Sequence, residues 1–373
     1  MYAAKNSSVL FHIQTLTVGL YYTGTSYALP QRQQNGTSKY MVQTNKHDPI
    51  DVVITWVDGS DKSHSAKRRR YMTQHQTVLH ENAINPHRWV CSDEILYCLR
   101  SIENNAPWIR MIWIVVDDVT PDLSSLSLKL RSKISFTYHR EIFQSFEDVL
   151  PTFNSLAIET LLWRIEGLAE RFIYFNDDVF LISPLTPTDM FDDKKPVLRG
   201  HWVDYSGLQN DIKMQNDPAK FNHYMQINAA QIIGFSAHHL FAAAHVAHPF
   251  LRSEMAGLFD QYPKHFSANI THRFRELSQF LPQGLHNHAC IAGGRATFKN
   301  QSDYLHIYSG QCNENSSGEV STMLQAITDT NNIKMLCIND LPQLEILVPD
   351  IRSRLTQAIS GLKSTQFPRK PVQ

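Results

Sequence analysis

Ile50-Asp51-Val52-Val53-Ile54-Thr55-Trp56-Val57-Asp58-Gly59 marks the point at which the texture of the chain changes. A β-branched run closed by Asp-Gly predicts a buried strand entering a turn, since a strand covered on both faces has no need of polar alternation. Working outward, Ser92 predicts a helix N-cap with Asp93 and Glu94 in the first turn. Ile95, Cys98, Leu99 and Ile102 then recur at helical spacing until Asn104, Asn105 and Pro107. Met111 to Val116 predicts a second strand stopped by Asp117-Asp118, and Ile134 to Tyr138 a short third. Asn154 or Ser155 caps a second helix with Ile158, Leu161, Leu162 and Ile165 on one face and Gly167 closing it; Arg171 to Phe175 is a further strand. Strands alternating with helices imply βαβ units and a mainly parallel sheet.

Ligands of such sheets bind beyond the carboxyl ends of the strands. Three of these strands end in acidic groups: Asp58 and Asp61, Asp117-Asp118, and Asn176-Asp177-Asp178. Residues 1–48, rich in Ser, Thr, Gln and Asn, read as an accessory, partly disordered arm. Past residue 200 the pattern becomes more helical and carries many of the 18 histidines; an α-rich half over the carboxyl edge of the sheet is expected. Residues 49–345 are taken as the catalytic domain, split near 200, with a C-terminal helix and a loose basic tail over 346–373.

Hydrophobic residues make up 42% and charged residues 19% of the 373, which excludes a disordered chain. Lys and Arg (35) balance Asp and Glu (35), so no global basic field recruits nucleic acid. No run of about 18 apolar residues predicts a membrane span. The five cysteines form no CxxC pair, which suits a reducing compartment. The expectation is a cytoplasmic protein, at most peripheral to the inner face of a membrane, with homo-oligomerisation left open.

Adjacent carboxylates such as Asp177-Asp178 repel one another unless a cation or donors compensate. A hard divalent ion shared with a phosphate is the usual compensation. Zinc is the alternative for the histidines, with His245 and His248 on one helical face and His238 and His239 nearby. Arg273 and Arg275 alternate as on an extended segment, so that one points inward as a phosphate fork. The basic run Lys67 to Arg70 reads as a solvated face. No GxxxxGK, GxGxxG or GxSxG is present, which speaks against P-loop, dinucleotide-dependent and α/β-hydrolase chemistry.

Four blocks go further: Ile50 to Asp61; Asp93-Glu94 through Leu99-Arg100-Ser101-Ile102 to Ala106-Pro107-Trp108-Ile109-Arg110; Leu150-Pro151-Thr152-Phe153-Asn154-Ser155 to Asn176-Asp177-Asp178-Val179-Phe180; and Leu336-Cys337-Ile338-Asn339-Asp340. Together they resemble the Stealth family of sugar-1-phosphate transferases, over about residues 50–340. His245 and Arg275 stand where the family has a histidine motif and a later arginine. Ala247 stands where the family has proline, which leaves His248 as the alternative histidine.

The resemblance implies a Rossmann-like, glycosyltransferase-A-like core. It implies transfer of a hexose-1-phosphate, an N-acetylhexosamine-1-phosphate in particular, from a UDP-sugar to a saccharide hydroxyl, with release of UMP, in capsule or cell-surface polysaccharide synthesis. Mg²⁺ or Mn²⁺ would be held by Asp177 and Asp178, with Asn339 and Asp340 as further ligands. His245 would be the base, Arg275 the phosphoryl-charge stabiliser, and Asp178 the catalytic carboxylate. Trp56, Asp58, Gly59, Asp61, Arg100, Asn154 and Ser155 would line the donor pocket. A metal-dependent glycosyltransferase releasing UDP is the competing enzyme class, and a non-catalytic carbohydrate-binding protein the competing non-enzyme.

Overall fold

The strand Ile50–Thr55 (β1) is the middle of a five-stranded sheet in a computed structural model of the chain. The structure describes residues 48–360 except 76, 77, 91, 309–321, 323 and 325–331. The N-terminal arm up to residue 47, the tail from Ser364, Cys91 and Cys312 therefore lie outside the described residues.

β1 pairs in parallel with Ile112–Val116 (β2) on one side and Arg171–Asn176 (β4) on the other, and Ile134–Tyr138 (β3) extends the sheet beyond β2. His248–Leu251 (β6) closes the other edge, antiparallel to β4. The architecture is thus α/β with a mainly parallel sheet, as the alternation predicts.

The unbroken apolar run of β1 has a direct cause. Val52 and Ile54 face a core with Ile95, Cys98, Leu99 and Ile102 of the helix Glu94–Asn105, whereas Val53 faces Ala157, Leu161 and helices of the second half. Both faces are dry, so both must be apolar. The exception is Asp51, which is fully buried. It accepts from Arg110 Nε at 2.7 Å, Trp113 Nε1 at 3.0 Å and the Ala169 amide at 2.9 Å. Asp51 is therefore a structural knot at the amino end of the sheet, at the opposite end of its strand from the acidic turn that follows it. Asp51→Ala strands two buried donors and one guanidinium and is expected to lower stability by about 3 kcal/mol. Chemical denaturation should report that loss, with turnover of the folded fraction unchanged.

Helix boundaries depart from expectation at two places. Asp93, with φ +64°, is the cap residue of the helix Glu94–Asn105, while the Ser92 amide donates to the Glu94 carboxylate at 2.9 Å. The single helix expected from Asn154 to Gly167 is instead Ser155–Glu159 followed by a 3₁₀ turn, Leu162–Arg164. The Thr160 hydroxyl donates to the Leu156 carbonyl at 2.6 Å and accepts from Asn269 Nδ2 at 2.7 Å. After it Leu161 bonds back three residues rather than four, to Ile158 at 2.9 Å.

The second half is α-rich, with helices Phe221–Ile232, Arg252–Gln261, Pro263–Thr271 and Pro282–Ala292. These pack on one face of the sheet, against Val53, Phe172 and Tyr174. Chain segments between them, around residues 244–247 and 272–281, carry the expected site residues.

A second, three-stranded sheet sets the site. Val179–Leu181 (β5) pairs antiparallel with Met335–Ile338 (β8), which pairs in parallel with Tyr304–Ile307 (β7). Asp177-Asp178 is the turn joining β4 of the first sheet to β5 of the second. The Asp178 carbonyl accepts from the Ile338 amide at 3.0 Å, and the Asn339 amide donates to the Ile307 carbonyl at 2.9 Å.

Candidate active site

Thr55 pairs in register with Asn176 and Val115, so the turns that follow these strands emerge together. In the first turn, Asp58 accepts from the Ser60 amide at 2.9 Å and Asp61 caps the helix Lys62–Thr73 by accepting from the His64 amide at 2.7 Å. Gly59 is required by close approach: a Cβ there would lie 2.6 Å from the Trp89 backbone. Asp58, Asp61, His64, Lys67, Asp117 and Asp118 line one small cleft. Lys67 pairs with Asp118, so part of the basic run is engaged in that cleft, and Arg68 lies 4.1 Å over the Trp89 ring.

The acidic pair lies deeper. Burial, and for Asp177 then the charge of Asp178, pushes both carboxyls above their ordinary range. Asn339 Nδ2 donates to Asp178 Oδ2, while Asp178 Oδ1 is buried with no hydrogen-bond partner. Two adjacent carboxylates, one with an unused buried oxygen, form the all-oxygen donor set that a hard divalent cation takes. Asn339 is already committed on both sides, since its Oδ1 lies 2.5 Å from His306 Nε2. With Nδ2 donating to a carboxylate, Oδ1 must accept, so His306 carries its proton on Nε2. Asn339 therefore orients Asp178 with its amide and leaves direct ligation to the carboxylates. Asp340, at φ +59°, follows at the start of the helix Leu341–Leu347.

His245 sits in the loop before β6, its ring 5.1 Å from that of His306. Its pKa is lowered to about 4, by burial first and then by the Arg275 charge, so the ring is a neutral imidazole at pH 7. His248 is elsewhere, inside β6 opposite Tyr174. The expected helical face shared by His245 and His248 does not exist, because one is on a loop and the other on a strand. Nor do the four histidines gather as a zinc site: His238 lies 3.5 Å from Asp204 and His239 stacks on Trp202 at 4.3 Å. His286 and His288 are core residues whose Nε2 atoms accept from the Leu251 and Phe241 amides, each at 3.0 Å.

Arg273 and Arg275 diverge as their alternation predicts. Arg273 Nε donates to the carbonyls of Val149 at 3.0 Å and Pro151 at 2.8 Å, clamping the backbone. Arg275 reaches Ser155 Oγ at 2.7 Å and Asn82 Oδ1 at 3.0 Å, with its buried Nε unpartnered. Asn154 is fully buried and donates to the carbonyls of His272 at 2.8 Å and Phe274 at 3.0 Å, so it sets the course of the segment carrying Arg275. Trp56 is likewise buried, and Arg100 points to Ser125 Oγ at 3.1 Å.

Three residues that sequence reasoning missed belong to this neighbourhood. His306 links His245 to Asn339. Glu159, buried and hydrogen-bonded to Gln283 at 2.7 Å, lies in the field of Arg275, and burial raises its pKa. Arg88, on the 3₁₀ turn Pro86–Trp89, is within electrostatic reach of Arg275, Glu159, Asp178 and Asp340. His306 and Arg88 sit in no repeating pattern or strand-end cluster, and Glu159 lies within the third block without anything local to mark it as a site residue.

Residues 48–76 match Stealth protein CR1, conserved region 1, and residues 88–198 match Stealth protein CR2, conserved region 2. The chain thus carries two conserved regions of the Stealth family. An exopolysaccharide phosphotransferase of Lactiplantibacillus plantarum is 28% identical to this chain over 344 residues, covering 84% of it and 95% of the relative. An exopolysaccharide phosphotransferase of Streptomyces coelicolor is 43% identical over 143 residues, 38% of this chain and 23% of that protein. A capsular polysaccharide phosphotransferase of Neisseria meningitidis serogroup B is 39% identical over 148 residues, 39% of this chain and 38% of the relative. The match spans about a quarter of the length of three such Streptomyces relatives. Among solved structures, the galactosyltransferase LgtC bound to donor and acceptor sugar analogues covers 86% of this chain and 98% of its own, at 12% identity and a TM-score of 0.41. No helix among the described residues is long and apolar enough to cross a membrane.

Proposed function

We propose that this Stealth protein transfers hexose-1-phosphate from a UDP-sugar to a hydroxyl of a saccharide acceptor, with an N-acetylhexosamine as the sugar. The observation that carries this reading is convergence: Asp178, Asn339, His306 and His245 form one contiguous run, with the Arg275 charge acting on His245. The names of the relatives, exopolysaccharide and capsular polysaccharide phosphotransferases, support it.

His245 takes the proton of the acceptor hydroxyl as that oxygen attacks the β-phosphorus. A phosphorus–oxygen bond to the acceptor forms, the bond to the bridging oxygen breaks, and UMP departs with the electron pair. Arg275, with an unused buried N–H, stabilises charge on the phosphoryl group in flight. The Asp58–Asp61 turn and Ser155 border the donor, with Arg100 near its rim; Trp56 and Asn154 shape the pocket from behind. Asp177 and Asp178 fit Mg²⁺ or Mn²⁺, which when bound neutralises diphosphate charge and stabilises the leaving nucleotide. Glu159 holds the Arg275 neighbourhood through Ser155 and Tyr174.

Counting phosphates tests the reading. The protein, Mg²⁺, acceptor oligosaccharides and a panel of UDP-hexoses should yield UMP in step with acceptor extension. The product should be a phosphodiester retaining the anomeric configuration of the donor, no bond to that carbon having been broken. UDP as the acceptor-dependent product would make the protein a glycosyltransferase instead.

A further inference from the structure

His245, His306 and Cys337 each present one ligand atom, and these atoms all lie within 4.8 Å of one another. They come from three chain segments: the loop before β6, the strand β7 and the strand β8. His306 is directly opposite Cys337 in the parallel pairing of β7 with β8, which places both side chains on one face of that sheet. His245 brings the second imidazole to that face, 5.1 Å from the first.

The His306 tautomer fits a ligand. Its Nε2–H is held by Asn339, so Nδ1 is left as a bare lone pair. Two imidazole nitrogens and one sulfur are a borderline-soft set, suited to Zn²⁺ or Co²⁺ and unsuited to Mg²⁺. Three protein ligands leave a fourth position for water or an oxygen ligand, the pattern of open rather than purely structural zinc sites. His245 and His306 are only partly buried, and Cys337 is buried.

We infer that the protein carries a thiophilic cation site at His245, His306 and Cys337, next to the hard-cation carboxylates, and that Zn²⁺ bound there inhibits transfer. Binding exchanges the thiol proton of Cys337 for a sulfur–metal bond and releases that proton to solvent. It also ties up the imidazole of His245, the proposed proton acceptor. The inhibitory consequence rests on the function proposed above; the site itself does not.

The test is Co²⁺ titration of the metal-free full chain, read by absorbance. One equivalent should give the strong visible bands of four-coordinate cobalt and a near-ultraviolet sulfur-to-cobalt charge-transfer band. Both should be bleached by one equivalent of Zn²⁺ and untouched by excess Mg²⁺. Cys337→Ser should remove the charge-transfer band, and His306→Gln, in the half-exposed position, should weaken binding about tenfold or more. Circular dichroism checks that each variant is folded, and His306→Gln decides should Cys337→Ser fail to fold. Absence of the charge-transfer band in the unaltered protein, or its survival in folded Cys337→Ser, overturns the site. Zn²⁺ that fills the site without slowing UMP release overturns the inhibition alone.

Discussion

Asp178→Asn is expected to reduce turnover about 10³-fold or more, because charge neutralisation by a bound cation is worth several kcal/mol and each 1.36 kcal/mol is tenfold in rate. The same change should not harm the metal-free fold. Burial raises the Asp178 carboxyl above its ordinary range, so the folded chain binds a proton there more tightly than the unfolded chain does. The ionised form is therefore a destabilising element: metal-free stability should rise as pH falls through the raised pKa, and it is lowest above it. An isosteric amide removes that charge, and the metal-free thermal midpoint of Asp178→Asn should match or exceed that of the unaltered protein. Mg²⁺ should then stabilise the unaltered protein and leave the variant unmoved, since only the state that binds gains by mass action. Full activity in excess chelator, or an equal Mg²⁺ shift in both proteins, would sink the metal assignment.

The asymmetry between those carboxylates and Asp51 explains how far the sequence could be read. Both motifs show an acid beside a largely apolar strand run. Asp178 follows a strand and falls at the carboxyl end of the sheet, where chain direction alone locates the crevice. Asp51 lies near the start of its strand and binds Arg110, Trp113 and Ala169, which are distant in sequence. Strand identity was legible for a similar reason: Val52, Val53 and Ile54 are buried on both faces, and a short β-branched run without polar alternation is the pattern that such burial requires. The helix after Asn154 was less so: at its break Thr160 meets Asn269, a tertiary contact that no periodicity encodes. Histidines were least legible. His286 and His288 serve as acceptors for strand amides, His239 stacks on Trp202, and only His245 and His306 face each other beside the acidic turn. Identical side chains fill three different physical roles, and the partners that decide between them arrive from other segments.

His245→Ala is expected to lower kcat by roughly 10²–10⁴-fold, the usual contribution of a positioned general base, with KM for the donor little changed. On the proposed reading the donor is held by the acidic pair, Arg275 and the Asp58–Asp61 turn, none of which hydrogen-bonds to His245 among the described residues. The proton-accepting role needs a neutral ring, and burial followed by the Arg275 charge lowers its pKa to about 4. The base form is thus present at all pH values above that, and loss of activity through protonation of His245 should set in near pH 4, well under the ordinary imidazole range. His248→Ala provides the contrast. His248 is packed inside β6 against β4, so its loss should lower the thermal midpoint while sparing kcat of the folded fraction. The paired result discriminates sharply: a kinetic defect without unfolding for one histidine, unfolding without a kinetic defect for the other. Should His248→Ala be the folded but inactive variant and His245→Ala turn over normally, the proton acceptor is not the residue beside His306, and the convergence on Asp178 is structural.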